Sequence, residues 1–209
     1  MTLADKAFKV GIICGSTRSP RVGPQVTDFV QKAIESHLAS HPPDGLSITL
    51  EPVDIAAFNL PLFDEPGIPQ AITDPSDYAH QHTRDWSARI ASLDAFVFVT
   101  PQYNWGIPAG LKNAIDFLFN EWTRKPGMVV SYGGHGGGKA AEALAVVLQG
   151  LKMRTPGTTV NLSFPDRGFT GKCFVGGDLG LQEEGSVVWA KEKDDIIAVW
   201  EDMVKLFTG

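Results

Sequence analysis

Short apolar runs alternate along this chain with stretches of helical hydrophobic spacing, and the alternation repeats about five times. A strand that is apolar at nearly every position is buried on both faces, as in a parallel sheet covered by helices on both sides. Phe8 to Cys14 is such a run, too continuous for a surface helix and too short for a buried one. Ala95 to Val99 is the clearest, and Gly127 to Tyr132 is another. Leu46 to Val53 alternates like a further strand, and Thr158 to Phe164 is a candidate fifth. Between them, Val26, Phe29, Val30, Ala33, Ile34 and Leu38 recur at helical spacing behind Pro24, which suits a first turn. Further helices are predicted over Tyr78–Leu93, Ala109–Trp122 and Lys139–Leu151, and a last one over about 186–207. Residues 165–185 read as irregular, and the proline-rich connection from Asp54 to Pro75 is long enough to suggest a function. No repeat or boundary divides the chain, so residues 1–209 are expected to form a single α/β domain.

Composition narrows the partners. A net charge of −6 with scattered lysines and arginines offers no basic stripe to nucleic acid. No stretch approaches the length of a membrane span, and the polar N-terminus does not read as a signal peptide. Two cysteines, Cys14 and Cys173, are too few for a disulfide framework, which points to a reducing, cytoplasmic setting.

In an open parallel sheet the ligand sits beyond the carboxyl ends of the strands. Three loops there have unusual composition. The first, Gly15 to Gly23 (GSTRSPRVG), joins a strand to a helix N-terminus, where free N–H groups and the helix dipole favour an anion. Ser16, Thr17 and Ser19 supply hydroxyls, and Arg18 and Arg21 supply charge. The second, Thr100 to Pro108 (TPQYNWGIP), is stiffened by prolines and carries Tyr103 and Trp105, suited to a planar heterocycle. The third, Ser131 to Lys139 (SYGGHGGGK), lets backbone approach a ligand closely. It also mimics a P-loop, but Ala140 stands where a magnesium-holding hydroxyl is needed.

GSTRSPR, PQYNWGIPAGLKNAIDFL and SYGGHGGGKAAEAL together resemble the NADPH-dependent FMN reductase family, most nearly its fungal quinone-reductase-like members, over about residues 8–160. The resemblance implies a flavodoxin-like three-layer sandwich with strand order 2-1-3-4-5, FMN as cofactor and NADPH or NADH as co-substrate. It assigns Ser16 and Arg18 to the FMN phosphate, and Pro101, Gln102, Tyr103 and Asn104, with neighbouring Trp105, to one side of the flavin. Ser131, Gly133 and Gly134 fall at its pyrimidine end. Position 21 departs from the family's GSxRxxS pattern, since Arg21 replaces a serine there; it is carried as a phosphate-loop candidate. The implied activity is two-electron, ping-pong reduction of a quinone, free flavin or azo compound. Hydride would pass directly to flavin N5, so no acid, base or other catalytic residue is named. Homodimers or tetramers are implied, with Trp105, Phe117 and Trp122 as candidates for the shared face.

His80 and His82 form an H-x-H pair; on a helix such residues do not face one another, so no metal site is expected. His135 sits in the glycine loop as an ordinary loop histidine or a ring contact. Two other classes fit the same motifs: a flavodoxin-type electron carrier whose aromatics cover the ring, and a flavin-bound protein whose redox state controls a partner.

Overall fold

The computed structural model describes residues 6–207. Five parallel strands form one sheet in the order β2-β1-β3-β4-β5. They are β1 (Lys6–Cys14), β2 (Leu46–Asp54), β3 (Ala95–Pro101), β4 (Gly127–Gly133) and β5 (Val160–Ser163). The helices are α1 (Gly23–Ser40), α2 (Gln81–Ala91), α3 (Ala109–Asp116), α4 (Gly138–Gly150), α5 (Arg167–Val175) and α6 (Ala190–Lys205). This is the flavodoxin-like doubly wound order, with its switch point between β1 and β3. All seven residues of β3 are buried. On one face Val10, Ile12 and Val97 meet Val26 and Phe29 of α1 and Trp200 of α6. On the other, Ile13, Phe96 and Phe98 meet Trp86 of α2, Ile115 of α3 and Leu144 of α4. Register sets Cys14 beside Val99 and Pro101 beside Tyr132, so the loops after β1, β3 and β4 open at one edge.

Several elements differ from the sequence-based expectation, each for a local reason. α2 begins at Gln81, because Tyr78 is drawn into the core with its hydroxyl on Glu121 (3.3 Å). The Glu65 carboxylate takes the N–H groups of Ala79 (2.9 Å) and His80 (3.0 Å) at the same helix end. α3 stops at Asp116 instead of reaching Trp122. There the Ile115 carbonyl accepts the Leu118 N–H (3.2 Å) and the Trp122 indole N–H (3.3 Å), and Asn120 turns its amide to the Ile72 carbonyl (2.6 Å). Phe117 and Trp122 lie in the core, 0% and 1% exposed, so neither belongs to a subunit face; Trp105, 68% exposed, stays outside.

The largest correction is α5, which occupies a stretch read as irregular. Asp166 caps it by accepting the Phe169 N–H (2.7 Å), and Gly176 ends it at a φ of 67°. Phe169 is its buried anchor, with ring centroids 5.4 Å from both Phe164 and Trp189. Three poor helix formers, Gly168, Thr170 and Gly171, hide the helix from propensity. Loss of the cap in Asp166→Ala should cost about 1 kcal/mol, and loss of the anchor in Phe169→Ala about 3 kcal/mol. Urea midpoints for the two variants check both values and their order.

Candidate functional site

The first loop leaves β1 with the Gly15 N–H on the Val99 carbonyl (2.8 Å) and enters α1 at Gly23. Ser16 is 1% exposed, its hydroxyl turned inward to 3.6 Å from Cys14 Sγ. The same hydroxyl lies beside Gly23 at the start of α1, where a Cβ would collide with it, and hydrogen-bonds the Tyr132 phenol, so it is held within the protein. Arg21 is likewise engaged elsewhere. Its guanidinium forks onto Asp54, at 2.9 Å to Oδ1 and 2.5 Å to Oδ2, and also donates to the Ser16 carbonyl (2.5 Å). The fork ties the loop to the end of β2, because Asp54 also accepts the Ala56 N–H (3.1 Å). Burial pushes the Asp54 carboxyl up, but the Arg21 fork and that N–H outweigh it and hold the group below its usual range. Among the described residues the N–H groups of Thr17, Ser19 and Gly23 find no acceptor, so the loop keeps unmatched donors at a helix N-terminus.

Arg18 supplies the exposed charge. Its guanidinium carbon lies 3.7 Å from the centroid of the Tyr103 ring, which joins the first loop to the second. In the second loop Tyr103 and Gly106 exchange both backbone hydrogen bonds at 3.0 Å, closing a two-residue turn. Asn104 (φ 48°) and Trp105 (φ 66°) are its centre, both left-handed. Such a backbone is costly for tryptophan, and it throws the indole outward to stack on His135 at 6.1 Å.

Gln102 joins the second loop to the third. Its N–H donates to the Tyr132 carbonyl (3.0 Å), and its Oε1 accepts the N–H groups of Lys139 (3.0 Å) and Ala140 (3.3 Å). Gln102 thus caps α4, whose own N-cap is Gly137, at φ 79°. A Cβ on Gly137 would come within 2.8 Å of the Tyr132 nitrogen, so the turn requires glycine. Ser131, expected at a ring edge, is fully buried beneath this turn, with its hydroxyl 2.9 Å from the Gly136 carbonyl and 2.7 Å from Asn161 Oδ1.

The loops enclose a cavity of about 260 Å³. Of the expected residues, Arg18 and Arg21, then Pro101, Gln102 and Tyr103, then Gly133 and Gly134 line it. Ser16, Asn104, Trp105 and Ser131 do not. Tyr132 lies at its floor, its phenol held well above the usual range by burial. Thr170, Cys173 and Phe174 of α5 also line it, and sequence reading missed them. The usable signals were the capping Asp166 and the closing Gly176. A larger depression of about 560 Å³ carries Asp28, Asp178 and Glu183, the wrong charge for a phosphate.

The decoys resolve. Lys139 Nζ sits on Glu142 at 2.8 Å, and Ala140 beside it is buried. His80 is the N-cap of α2 with extended backbone, so the premise of a helical H-x-H pair fails there. The two rings stack at 5.2 Å, and Asp64 joins them: its carboxylate lies 2.9 Å from His82 Nε2, and its carbonyl 3.1 Å from His80 Nε2.

Residues 8–165 match the model of the family described as NADPH-dependent FMN reductase. An NAD(P)H-dependent FMN reductase of Nectria sp. is 40% identical over 201 residues, covering 95% of this chain and 96% of its own. Another from Saccharomyces cerevisiae is 48% identical over 152 residues, covering 72% and 78%. Among solved structures, the flavoenzyme NAD(P)H:(acceptor) oxidoreductase of Paracoccus denitrificans superposes with a TM-score of 0.61 at 22% identity, over 95% of this chain and 98% of that one.

A carboxylate held below its unfolded value adds stability above that value and loses it as pH falls through the folded one. Asp54→Asn should therefore be less stable than wild type at pH 7 by about 1 kcal/mol, modest because the pair is partly exposed. The gap should close as pH falls below the usual aspartate value of 3.8. Urea midpoints at pH 7 and pH 3 test both statements.

Proposed function

The chain belongs to the NADPH-dependent FMN reductase family, and from that premise we propose that its three-loop cavity holds FMN and admits small flat acceptors to it. The protein is an FMN-dependent NAD(P)H oxidoreductase. The observation that carries the site reading is one cavity walled by Arg18 of the first loop, Tyr103 of the second, and Gly133 and Gly134 of the third.

The residues fit the cofactor. Unmatched N–H groups at the start of α1 and the exposed Arg18 suit a phosphate dianion. A Cβ on Gly134 would meet nothing within 4 Å, so that backbone faces space a ring can fill. Arg18 and the loop N–H groups hold the phosphate in this reading; Tyr103, Pro101 and the Gly133–Gly134 backbone border the ring. Arg21, Ser16 and Ser131 shape the loops. Gln102 positions the third loop through α4, leaving its Nε2 for the ring edge. Bound there, FMN supplies the two-electron chemistry between nicotinamide and acceptor. The chain contributes orientation and a recess bordered by aromatic rings. Quinones, free flavin and azo compounds are the acceptor class such a recess takes. In this reading nicotinamide and acceptor use the recess in turn.

The same reading places the protein in the cytoplasm, supported by two free cysteines, and pairs it into a homodimer or tetramer, supported by the exposed Leu62, Ile68 and Trp105.

Arg18→Ala should weaken FMN by about 1.5–3 kcal/mol and leave riboflavin affinity unchanged. Gly134→Val should keep the fold, since the free protein has room for the side chain, yet weaken both flavins. Fluorescence titration of apoprotein reads both, and equal affinities for FMN in Arg18→Ala and wild type would sink the phosphate assignment. Initial rates at several quinone concentrations should give parallel double-reciprocal lines, with excess quinone competing against NADPH; intersecting lines would mean both guests bind together.

A further inference from the structure

The family model ends at residue 165, just before α5 begins at Arg167. Yet Thr170, Cys173 and Phe174 of α5 line the same cavity as Arg18, Tyr103 and Gly134. This helix is fastened at both ends and lightly held between. Phe169 anchors its first turn against Phe164 and Trp189. Its closing Gly176 lies so near the first loop that a Cβ there would come within 2.8 Å of Pro20 Cβ. Beyond it, the Gln25 amide donates to the Gly177 carbonyl (2.9 Å) and accepts the Leu179 N–H (2.9 Å). Between these fastenings Phe174 is 75% exposed while it borders the cavity, and Cys173 beside it is half-buried. An exposed phenyl at the rim of a cavity is apolar surface that a flat guest can cover. The cavity, about 260 Å³, is also below the roughly 300–1,000 Å³ usual for small-molecule sites. α5 supplies three of the residues that bound it.

We propose that Phe174 is a specificity-determining residue: α5 is the outer wall of the acceptor recess, and its phenyl limits how large a flat acceptor reaches the site. The proposal rests on the reading that flavin and acceptor use this cavity. Thr170 and Cys173 form the wall behind the phenyl, and the Asp166 cap with the Gly176 contact holds the wall at its distance from Tyr103 and Gly134.

Cys173 is a built-in reporter, since the only other cysteine, Cys14, is 3% exposed. Burial pushes the Cys173 thiol up to about 11, so labelling with N-ethylmaleimide near pH 8.5 should be slow enough to time. Mass mapping of the modified peptide separates the two cysteines. FMN added to apoprotein should slow Cys173 labelling about fivefold or more, as expected for a thiol whose access is lost. In a second arm, kcat/KM is measured for a one-ring and a three-ring quinone. Phe174→Ala should raise the three-ring to one-ring ratio about tenfold, and Phe174→Leu by less, the scale of a few methylene groups in an apolar pocket. Unchanged labelling in protein whose visible spectrum shows bound FMN overturns the proposal, as does an unchanged ratio in both variants. Either failure leaves the cofactor site standing when Arg18→Ala still loses FMN. If Arg18→Ala and Gly134→Val both keep full FMN affinity, the location of the cofactor itself falls, and this proposal with it.

Discussion

Every side chain of β3 from Ala95 to Pro101 is withdrawn from water, so helices must cover both faces of the sheet and the strand can present nothing to a ligand except its end. The switch point lies beside this strand, between β1 and β3, and the loops leaving β1, β3 and β4 share its edge. A recess forms there because neighbouring connections diverge to opposite faces. The site is a consequence of where the core is buried, before any polar residue takes part.

The polar residues of that edge do two different jobs. Ser131 and Arg21 are consumed in holding the loops, and Gln102 spends its Oε1 the same way: Gln102 caps α4 from another loop, Ser131 supports the glycine turn from beneath, and Arg21 forks onto the end of β2. What remains for a ligand is mostly backbone donors, the exposed charge of Arg18, and faces of aromatic rings. A site made this way can orient a cofactor that brings its own chemistry. Among the residues lining it there is no serine–histidine or cysteine–histidine pair of the kind that would do chemistry without one.

Much of the fold was legible because hydrophobic period carries it. The runs at Phe8–Cys14, Ala95–Val99 and Gly127–Tyr132 all became strands of the sheet, within one or two residues at their ends. The misjudged places are those where a distant partner overrides local pattern. α3 ends early because Trp122 and Asn120 find carbonyls outside the helical ladder. α2 starts late because the core takes Tyr78 and Glu65 takes the backbone of Ala79 and His80. α5 was invisible to propensity and rests on one cap, one buried phenyl and one glycine.

By itself the sequence determined the parallel sheet, the three loops and their chemical character, since strand burial, glycine content and the placement of arginines are local properties. Only the tertiary structure decided which residues of those loops face the cavity. Ser16, Arg21 and Ser131 stand in motifs that suggest ligand contact, yet each spends its hydrogen bonds on the protein, and the partners that claim Arg21 and Ser131, Asp54 and Asn161, are 33 and 30 residues away in the chain. Motif spacing records which atoms are available; the long-range contacts that folding brings together determine which of them are already taken.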